Sequence, residues 1–546
     1  MEFNIAKVFA AVAAANPERD CIVFGDRRFT FAQVDDRTRR LAQALHAWGL
    51  GARRERSQLA GSESGQSHLA LYMTNCNEYV EGMIGAYQAR VAPFNVNYRY
   101  VADELVYLLA DSGAAAVMYH ARFGPTLAEA LTELPPMRLI HVDDGSGNDP
   151  LPGAVRYEEL LAQQSAAVLD IALSPDDLYV LYTGGTTGMP KGVLWRQNDI
   201  YLNAMGGRAF GTGQAVAGMA EVVERTLAGG PPSMTVAPLM HGAAQWSAFT
   251  TVLGGRTFVI PPAAERFDPA QAWATVAREK VGSMSIVGDA FARPLADALV
   301  DGGPDLARAL LSFNALVSGG ALFSSGVKQR LLQLLPHLTI LDAGGSSETG
   351  SQMGVASTRE NAGTGRFTPN PGAVVVSADM TRLLVPGDPD IGWLAQRGLV
   401  PLGYLGDAEK SARTFPEIDG VRHSIPGDRA RWDADGSIEL LGRDSVTINS
   451  GGEKIFAEEV EAAIANHPAV YDVVVVGRPS VRWGSEVVAI VQLAHGKSPD
   501  SVGIVAEAAR HIARYKLPKE VLFCDRIQRS PSGKPDYRWA KAYAAK

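Results

Sequence analysis

The sequence predicts an α/β fold: a large N-terminal domain with mostly parallel sheets covered by helices, plus a small α+β C-terminal domain. Three observations carry that expectation. Through residues 1–170 short apolar runs alternate with helix-length amphipathic stretches, and such βα alternation implies parallel strands with helices on both faces. Between residues 171 and 440 one arrangement recurs three times, an apolar strand running into Gly/Ser-rich backbone. Near residue 443 the texture changes to a compact block of roughly 100 residues, within the usual domain size. The boundary is expected close to Ser445, giving domains 1–444 and 446–546.

Taken in order, residues 8–15 read as an amphipathic helix ending near Asn16-Pro17; Glu2 and a single Lys7 before it lack the basic character of a signal peptide. Residues 27–30 read as a strand or turn, and 32–48 as a helix on the spacing of Val34, Leu41, Leu45 and Trp48. Residues 53–67, rich in Arg, Glu, Ser and Gly, read as a solvated insertion, 68–73 as a strand, 91–98 as a turn-rich connection and 114–119 as a buried strand. The three strand-to-glycine junctions follow: 178–181 before Thr183, 313–317 before Ser318-Gly319-Gly320-Ala321, and 338–341 before Asp342-Ala-Gly344-Gly345-Ser346-Ser347-Glu348. Ligands in open α/β sheets bind beyond the carboxyl ends of strands, so these turns are expected to line one crevice. Beyond the turns at 426–428 and 433–436, helices are expected at 457–466 and 502–513, with strands at 473–476 and 487–493.

With 46% hydrophobic and 20% charged residues, the 546-residue chain is an ordinary globular protein of more than one domain. A formal charge of −8 argues against sequence-independent nucleic-acid binding, which needs basic surface. Cys21, Cys76 and Cys524 lie far apart without C-x-x-C spacing, which excludes a disulfide framework and fits a reducing compartment. No apolar run is long enough to span a bilayer, and the expected location is cytoplasmic. The sequence carries no signal for oligomerisation, and a homodimer is left open.

The chemistry concentrates in Thr183-Gly184-Gly185-Thr186-Thr187-Gly188-Met-Pro-Lys191. Glycines let backbone approach a ligand closely, successive N–H groups form an anion-binding concavity, and the threonines and Lys191 add hydroxyl donors and a cation. Every part suits a polyphosphate; a flexible surface loop would seldom follow a buried strand so tightly. It is not a Walker A loop: the chain's Gly496-Lys497-Ser498 has Val491 where that pattern needs glycine. Glu348 ends a glycine-rich turn, where it either reaches a metal held against phosphates together with Thr187 or sits at a helix N-terminus favoured by the dipole. Asp428 and Arg443 either hold ribose hydroxyls or form a structural salt bridge. Lys534 lies on the turn Arg529-Ser-Pro-Ser-Gly-Lys534-Pro, solvated unless its domain closes over the phosphate loop.

Thr-Gly-Gly-Thr-Thr-Gly-Met-Pro-Lys-Gly, Ser-Gly-Gly-Ala, Gly-Ser-Ser-Glu-Thr, Pro-Gly-Asp, Leu-Gly-Arg and Ser-Gly-Lys, in this order, resemble the adenylate-forming superfamily of acyl-CoA synthetases, firefly luciferase and peptide-synthetase adenylation domains. Gly-Val-Leu-Trp-Arg196, Gly-Asp-Ala-Phe-Ala-Arg-Pro294 and Gly-Lys-Pro-Asp-Tyr-Arg-Trp539 look like the bacterial fatty acyl-CoA ligases that include those acting on steroid side chains.

The resemblance implies an ATP-dependent acyl-CoA synthetase for a long-chain or bulky carboxylate: carboxylate and ATP give acyl-adenylate and pyrophosphate, then the CoA thiol displaces AMP. It implies ATP and AMP contacts from Thr183 through Gly188, Lys191, Gly319, Gly320, Ala321, Asp342, Gly344, Gly345, Ser346, Ser347, Glu348, Asp428, Arg443 and Lys534, with Mg²⁺ on Thr187 and Glu348. A lysine about 4 Å from the α-phosphate would stabilise its developing charge by around 4 kcal/mol at an effective dielectric near 20. The resemblance makes the C-terminal domain a mobile lid that exchanges Lys534 for the CoA-side hairpin Ser450-Gly451-Gly452-Glu453. His241 would gate acyl and CoA tunnels, or else is a core histidine; Gly242, Ala243 and Ala244 would leave room for the acyl chain. Three departures stand out: Gly344 where the family stacks an aromatic on adenine, Ser445 where most members carry Asp or Lys at the hinge, and Pro426 before Gly-Asp in place of Thr. The alternatives are an acyl-AMP ligase serving a carrier protein, and a nucleotide-binding pseudoenzyme, against which the intact Lys534 and Glu348 argue.

Overall fold

A computed structural model describes residues 2–183, 189–209, 212–262, 267–321, 323–361, 365–450, 453–480, 483–530 and 533–546. The chain divides into two compact units, Met1–Ser285 with Gly398–Glu417, and Ile286–Arg397 with Ile418–Lys546.

In the first unit the opening helix, Ile5–Ala15, starts where the Asn4 side chain accepts the Lys7 N–H and ends at Asn16, as its sequence foretells. The next helix, Phe31–Ala47, is set by a reciprocal capping box in which Thr30 and Gln33 satisfy each other's backbone N–H groups. A five-stranded sheet runs in the spatial order Ala92–Asn95, His68–Tyr72, Ala114–His120, Arg138–Val142, Val155–Arg156, every pair parallel. Its first strand corrects the expectation of a turn-rich connection at 91–98. Pro93 reads as a turn signal, yet this strand is the sheet's edge, where a missing N–H costs no ladder bond. A second group of strands, Asp20–Phe24, Phe258–Ile260 and Ser233–Thr235, pairs in parallel, with Arg27–Thr30 added as an antiparallel edge.

The strand Leu178–Thr183 belongs to neither group. It pairs antiparallel with Lys191–Arg196, which in turn pairs antiparallel with Gly403–Tyr404. The strand that feeds the glycine-threonine loop is therefore antiparallel to its neighbour and not part of a parallel set. Leu178, Val180 and Tyr182 pack into the same core as Val117, Tyr119 and Phe94 of the five-stranded sheet.

In the second unit Ala315–Gly319 and Thr339–Ser346 are parallel, with Ser318 opposite Asp342 and Gly319 opposite Ala343. That register brings the second and third glycine turns to one end of the sheet. From there the sheet becomes antiparallel through Gly350–Ser357, Arg366–Pro369, Ile438–Arg443 and Asp428–Trp432. The C-terminal block forms the hairpin Val470–Ser480 and Gly484–Leu493, extended by a parallel strand, Glu520–Cys524. Its valine run is explained by burial on both faces. Val473 and Val475 join the core under the helices Ala457–Ile464 and Ser501–Ala508, while Val474 and Val476 pack with Ala540 and Ala544 of the helix Tyr537–Ala544. Each such valine contributes about 1.5–3 kcal/mol of burial. The Ser501–Ala508 helix stops short of the expected residue 513, at a cap on Ala509. Among the described residues no helix is long and apolar enough to cross a membrane.

Candidate active site

The predicted residues form three clusters. Of the phosphate loop, Gly184, Gly185, Thr186, Thr187 and Gly188 lie outside the described residues, but its base is well defined. Thr183 faces Lys191 across the hairpin. Tyr107 Oη donates to the Pro190 carbonyl at 3.2 Å, and Tyr182 Oη donates to Asp111 Oδ2 at 2.8 Å. Lys191 Nζ sits 3.5 Å from Asp407 Oδ2. Burial alone would lower the Lys191 pKa, but Tyr107, Asp111 and Asp407 outweigh it and raise it, so the cation persists at neutral pH.

His241 precedes the helix Gly242–Val252 and is half-buried. The room expected beside it is smaller than the sequence implies. A Cβ on Gly242 would lie 2.6 Å from Leu181 Cδ2 and 3.1 Å from Trp246, so this glycine permits close packing against the phosphate-loop strand. Ala244 is fully buried, and Ala243 is exposed.

The third cluster lies in the second unit. Asp428 and Arg443 are direct cross-strand partners, which explains their fifteen-residue interval, and Arg443 Nε donates to Asp428 Oδ1 at 3.2 Å. A one-residue register shift between Arg429 and Ala430 aligns them. Glu348 occupies the tight turn between the antiparallel strands Thr339–Ser346 and Gly350–Ser357, so it is not at a helix N-terminus. The turn is braced from within: Ser346 N donates to Thr349 Oγ1 at 2.9 Å, Glu348 N donates to Ser346 Oγ at 3.2 Å, and Ser424 Oγ donates to the Glu348 carbonyl at 2.6 Å. Ser347 completes the turn.

Lys534 joins these groups. Its side chain is exposed, yet the protein around its ammonium lowers its pKa, desolvation first and then Arg443, with Glu348 and Asp428 pulling the other way. Asp428 raises the Arg443 pKa, burial opposes it, and Glu348 adds to the rise. Two cations and two carboxylates thus share one electrostatic neighbourhood. The Lys534 turn is held by Arg529, which donates to the Gly533 carbonyl at 2.9 Å and to both Asp472 oxygens at 2.8 and 2.6 Å. Gly533 has φ +75° and packs against the Val287 carbonyl.

The glycine turns show why their residues are small. Gly320 takes φ +84°, and a Cβ on Gly319 would lie 3.0 Å from the Ala343 carbonyl; Ala321 is half-buried. On Gly345 a Cβ would lie 2.0 Å from the Gly350 carbonyl, and on Gly344 it would lie 2.6 Å from Met353 Cε and 2.8 Å from Met353 Cγ. Met353 fills the space beside Gly344 and is itself buried. Asp342 is committed elsewhere: Lys328 Nζ, fully buried, donates to its Oδ2 at 2.8 Å. Burial nevertheless raises the Asp342 pKa, with Lys328 opposing. Lys328 lies in a helix whose polar residues the sequence gives no reason to bury.

Ser450, buried, pairs with the exposed Glu453 across a short hairpin; Gly451 and Gly452 between them lie outside the described residues. Ser445 falls in the single turn Asp444–Val446. None of the cysteines is primed as a nucleophile: burial raises the Cys21 and Cys76 pKa values strongly and pushes Cys524 up to about 11. A cavity of about 470 Å³ in the first unit, lined among others by His120, His141 and Arg156, contains none of the predicted residues.

Residues 9–405 match the AMP-binding enzyme family and residues 459–534 match the AMP-binding enzyme C-terminal domain. The chain is 55% identical to the medium-chain acyl-CoA ligase Mig of Mycobacterium avium, covering 99% of this chain and 98% of that protein. It is 39% identical to the 3-oxocholest-4-en-26-oate–CoA ligase of Rhodococcus rhodochrous, covering 99% and 96%. Among solved structures it resembles the anthranilate CoA ligase AuaEII in complex with anthranoyl-AMP, with a TM-score of 0.81 at 20% identity over 100% of this chain and 98% of that one. By these matches, and by the motifs that first pointed there, the chain belongs to the AMP-binding enzyme family, within the adenylate-forming superfamily.

Proposed function

We propose that the protein is an ATP-dependent, AMP-forming acyl-CoA ligase for medium- or long-chain fatty acids or steroid side-chain carboxylates. The observation that carries this reading is near-full-length similarity to acyl-CoA ligases together with the gathering of Glu348, Asp428, Arg443 and Lys534.

In this reading the substrate carboxylate attacks the ATP α-phosphorus, forming the acyl–O–P bond as the bond to pyrophosphate breaks. Negative charge grows on the α-phosphate oxygens, where the Lys534 ammonium meets it. The negative charge of the phosphate favours the ammonium form of Lys534, opposing the desolvation and the Arg443 charge that lower its pKa. The loop from Thr183 to Lys191 grips the β- and γ-phosphates that depart, and Asp428, oriented by Arg443, takes the ribose hydroxyls. The turns at Gly319–Ala321 and Gly344–Ser347 present backbone to the nucleotide. With no aromatic at position 344, adenine packs against strand backbone. Asp342 shapes that wall through its pairing with Lys328.

The donor set of one carboxylate on Glu348 and one hydroxyl on Thr187 is all oxygen, and the Glu348 turn is rigidly braced, so these residues fit Mg²⁺ with phosphate and water completing its shell. When bound, Mg²⁺ neutralises phosphate charge. In the second step the CoA thiolate attacks the acyl carbon and AMP leaves with the electrons of the C–O bond. The thiol, of pKa about 8.5, needs no enzyme nucleophile once deprotonated. Residues 446–546 serve as the lid, hinged near Ser445, that replaces Lys534 with the Ser450–Glu453 hairpin for this step; His241 stands at the junction of acyl and thiol paths.

The test is incubation with ATP, Mg²⁺ and a panel of fatty and steroid carboxylates, with and without CoA. Carboxylate-dependent pyrophosphate release, with thioester formed when CoA is present, supports the ligase. Adenylate that CoA cannot discharge sinks it in favour of delivery to a carrier protein, and no pyrophosphate release at all indicates a nucleotide-binding protein without activity. Lys534→Ala is expected to abolish adenylation yet spare thioester formation from supplied acyl-adenylate; equal loss in both steps refutes that division of labour.

A further inference from the structure

Two parts of the candidate site in the first unit, the strand feeding the phosphate loop and the segment ending at His241, are joined by one buried side chain. Asn95 lies at the end of the edge strand Ala92–Asn95 and is 5% exposed. Its Oδ1 accepts the Tyr182 N–H at 2.8 Å, while Nδ2 donates to the Tyr182 carbonyl at 2.8 Å and to the Met240 carbonyl at 2.7 Å. Both amide protons and the amide oxygen are therefore spent on main chain. Tyr182 immediately precedes the loop's first threonine, and Met240 immediately precedes His241. The strand's other end is pinned by the same segment of chain, because Arg90 donates through Nε and Nη2 to Asp177 at 3.0 and 2.9 Å. Two pins thus hold 177–182 alongside 90–95, and of these the Asn95 pin reaches the His241 segment.

Other amides touch that segment without touching the phosphate-loop backbone. Asn75 accepts from Leu239 N at 2.7 Å and donates to the Ala237 carbonyl at 2.9 Å. Gln245 donates to the Leu239 carbonyl at 2.8 Å and accepts from Tyr179 Oη at 2.7 Å.

We propose that Asn95 is a positioning residue that couples the phosphate-loop strand to the His241 segment, so that nucleotide and acyl binding depend on one hydrogen-bonded joint. This rests on the ligase reading for its kinetic consequence but not for its physical one. Asn95 touches neither substrate; it fixes the two backbones that do. An aspartate there would turn an oxygen toward two carbonyl oxygens and repel both, whereas serine would keep a single weaker link.

The experiment compares Asn95→Ala, Asn95→Ser and Asn95→Asp with Asn75→Ala, by hydrogen exchange of 178–183 and 236–241 and by KM for ATP and for carboxylate in pyrophosphate release. Asn95→Ala is expected to speed exchange in both segments and raise both KM values about tenfold, the factor that loss of roughly one hydrogen bond's net free energy carries. Asn75→Ala is expected to alter only the 236–241 segment and the carboxylate KM. Should Asn95→Ala fail to fold, Asn95→Ser must show the same paired pattern at smaller size. Changes confined to one segment or one KM, or a fall in kcat that merely tracks the folded fraction, would overturn the coupling. If the wild type releases no pyrophosphate, the ligase reading falls while the exchange measurement still decides the coupling.

Discussion

Lys328 and Asp342 offer the sharpest energetic test. Lys328 Nζ and Asp342 Oδ2 are 2.8 Å apart, with side-chain exposures of 0% and 12%. Truncating one partner of a buried pair leaves the other charge unpaired and costs about 3–5 kcal/mol, whereas replacing both with apolar residues of similar volume is close to neutral or stabilising. Lys328→Met and Asp342→Leu should therefore each lower stability by about 3–5 kcal/mol, and the double variant should recover most of that loss. The assay is chemical denaturation of the four proteins, followed with two probes that must report the same transition. The pair also links to pH. Burial raises the Asp342 pKa above its unfolded value near 3.9 despite Lys328. The stability this confers is fully present below that unfolded value and is lost as pH rises through the folded one. Asp342→Asn should flatten this slope. A double variant as unstable as the two singles combined would refute the account, because the destabilisation would then come from volume and not from stranded charge.

Glu461 is fully buried, with its pKa pushed up to about 8 by desolvation and then by Glu458, and its Oε1 accepts the Val475 N–H at 2.8 Å. Glu461→Gln keeps that acceptor, so relative to the variant the wild type should lose stability as pH rises from about 4.3 to 8, by at most about 1.4 kcal/mol per unit; parallel pH–stability curves would contradict this. Gly345→Ala sets a Cβ against the Gly350 carbonyl and should distort the turn carrying Glu348, reducing adenylation at saturating ATP by more than tenfold, whereas Gly326→Ala, with open space around it, should be near neutral. Asp472→Ala removes the carboxylate that fixes Arg529 and should lower kcat for adenylation while leaving thioester formation from supplied acyl-adenylate unchanged; equal loss in both steps would show that the brace serves only the fold.

Much of the fold was legible because it rests on local rules. The helix at 31–47, the buried strands at 68–72 and 114–120 and the strands within 470–480 and 484–493 are all written in apolar periodicity. The motifs likewise named Glu348, Asp428, Arg443 and Lys534, which the fold gathers. What escaped depends on pairing. Pro93 looks like a break until Ala92–Asn95 is known to be an edge, and the strand feeding a glycine-threonine loop looks the same whether its neighbour is parallel or antiparallel. Lys328 gave no hint, since a lysine in a helix is ordinarily solvated. Asn75, Asn95 and Gln245 belong to no motif; they matter through partners 66 to 164 positions away.

The register shift between Arg429 and Ala430 bears on how this hairpin tolerates insertion and deletion. Side chains alternate faces along a strand, so moving one position turns a residue to the opposite side. Asp428 stands opposite Arg443, but the inner pairs, from Ala430 with Leu440 to Trp432 with Ile438, follow a register one residue shorter. Inserting one residue beside the unmatched Leu441, with the bulge kept at a single residue, would set Gly442 opposite Asp428 and swing Arg443 to the far face. Lengthening the distal turn at 433–436, by contrast, would leave the pair intact, since both strands beyond it keep their alignment. Length variation among descendants of such a hairpin should thus collect at its tip and be purged near its mouth, and a search tolerant of gaps between Pro-Gly-Asp and Leu-Gly-Arg would recover members that a fixed interval discards.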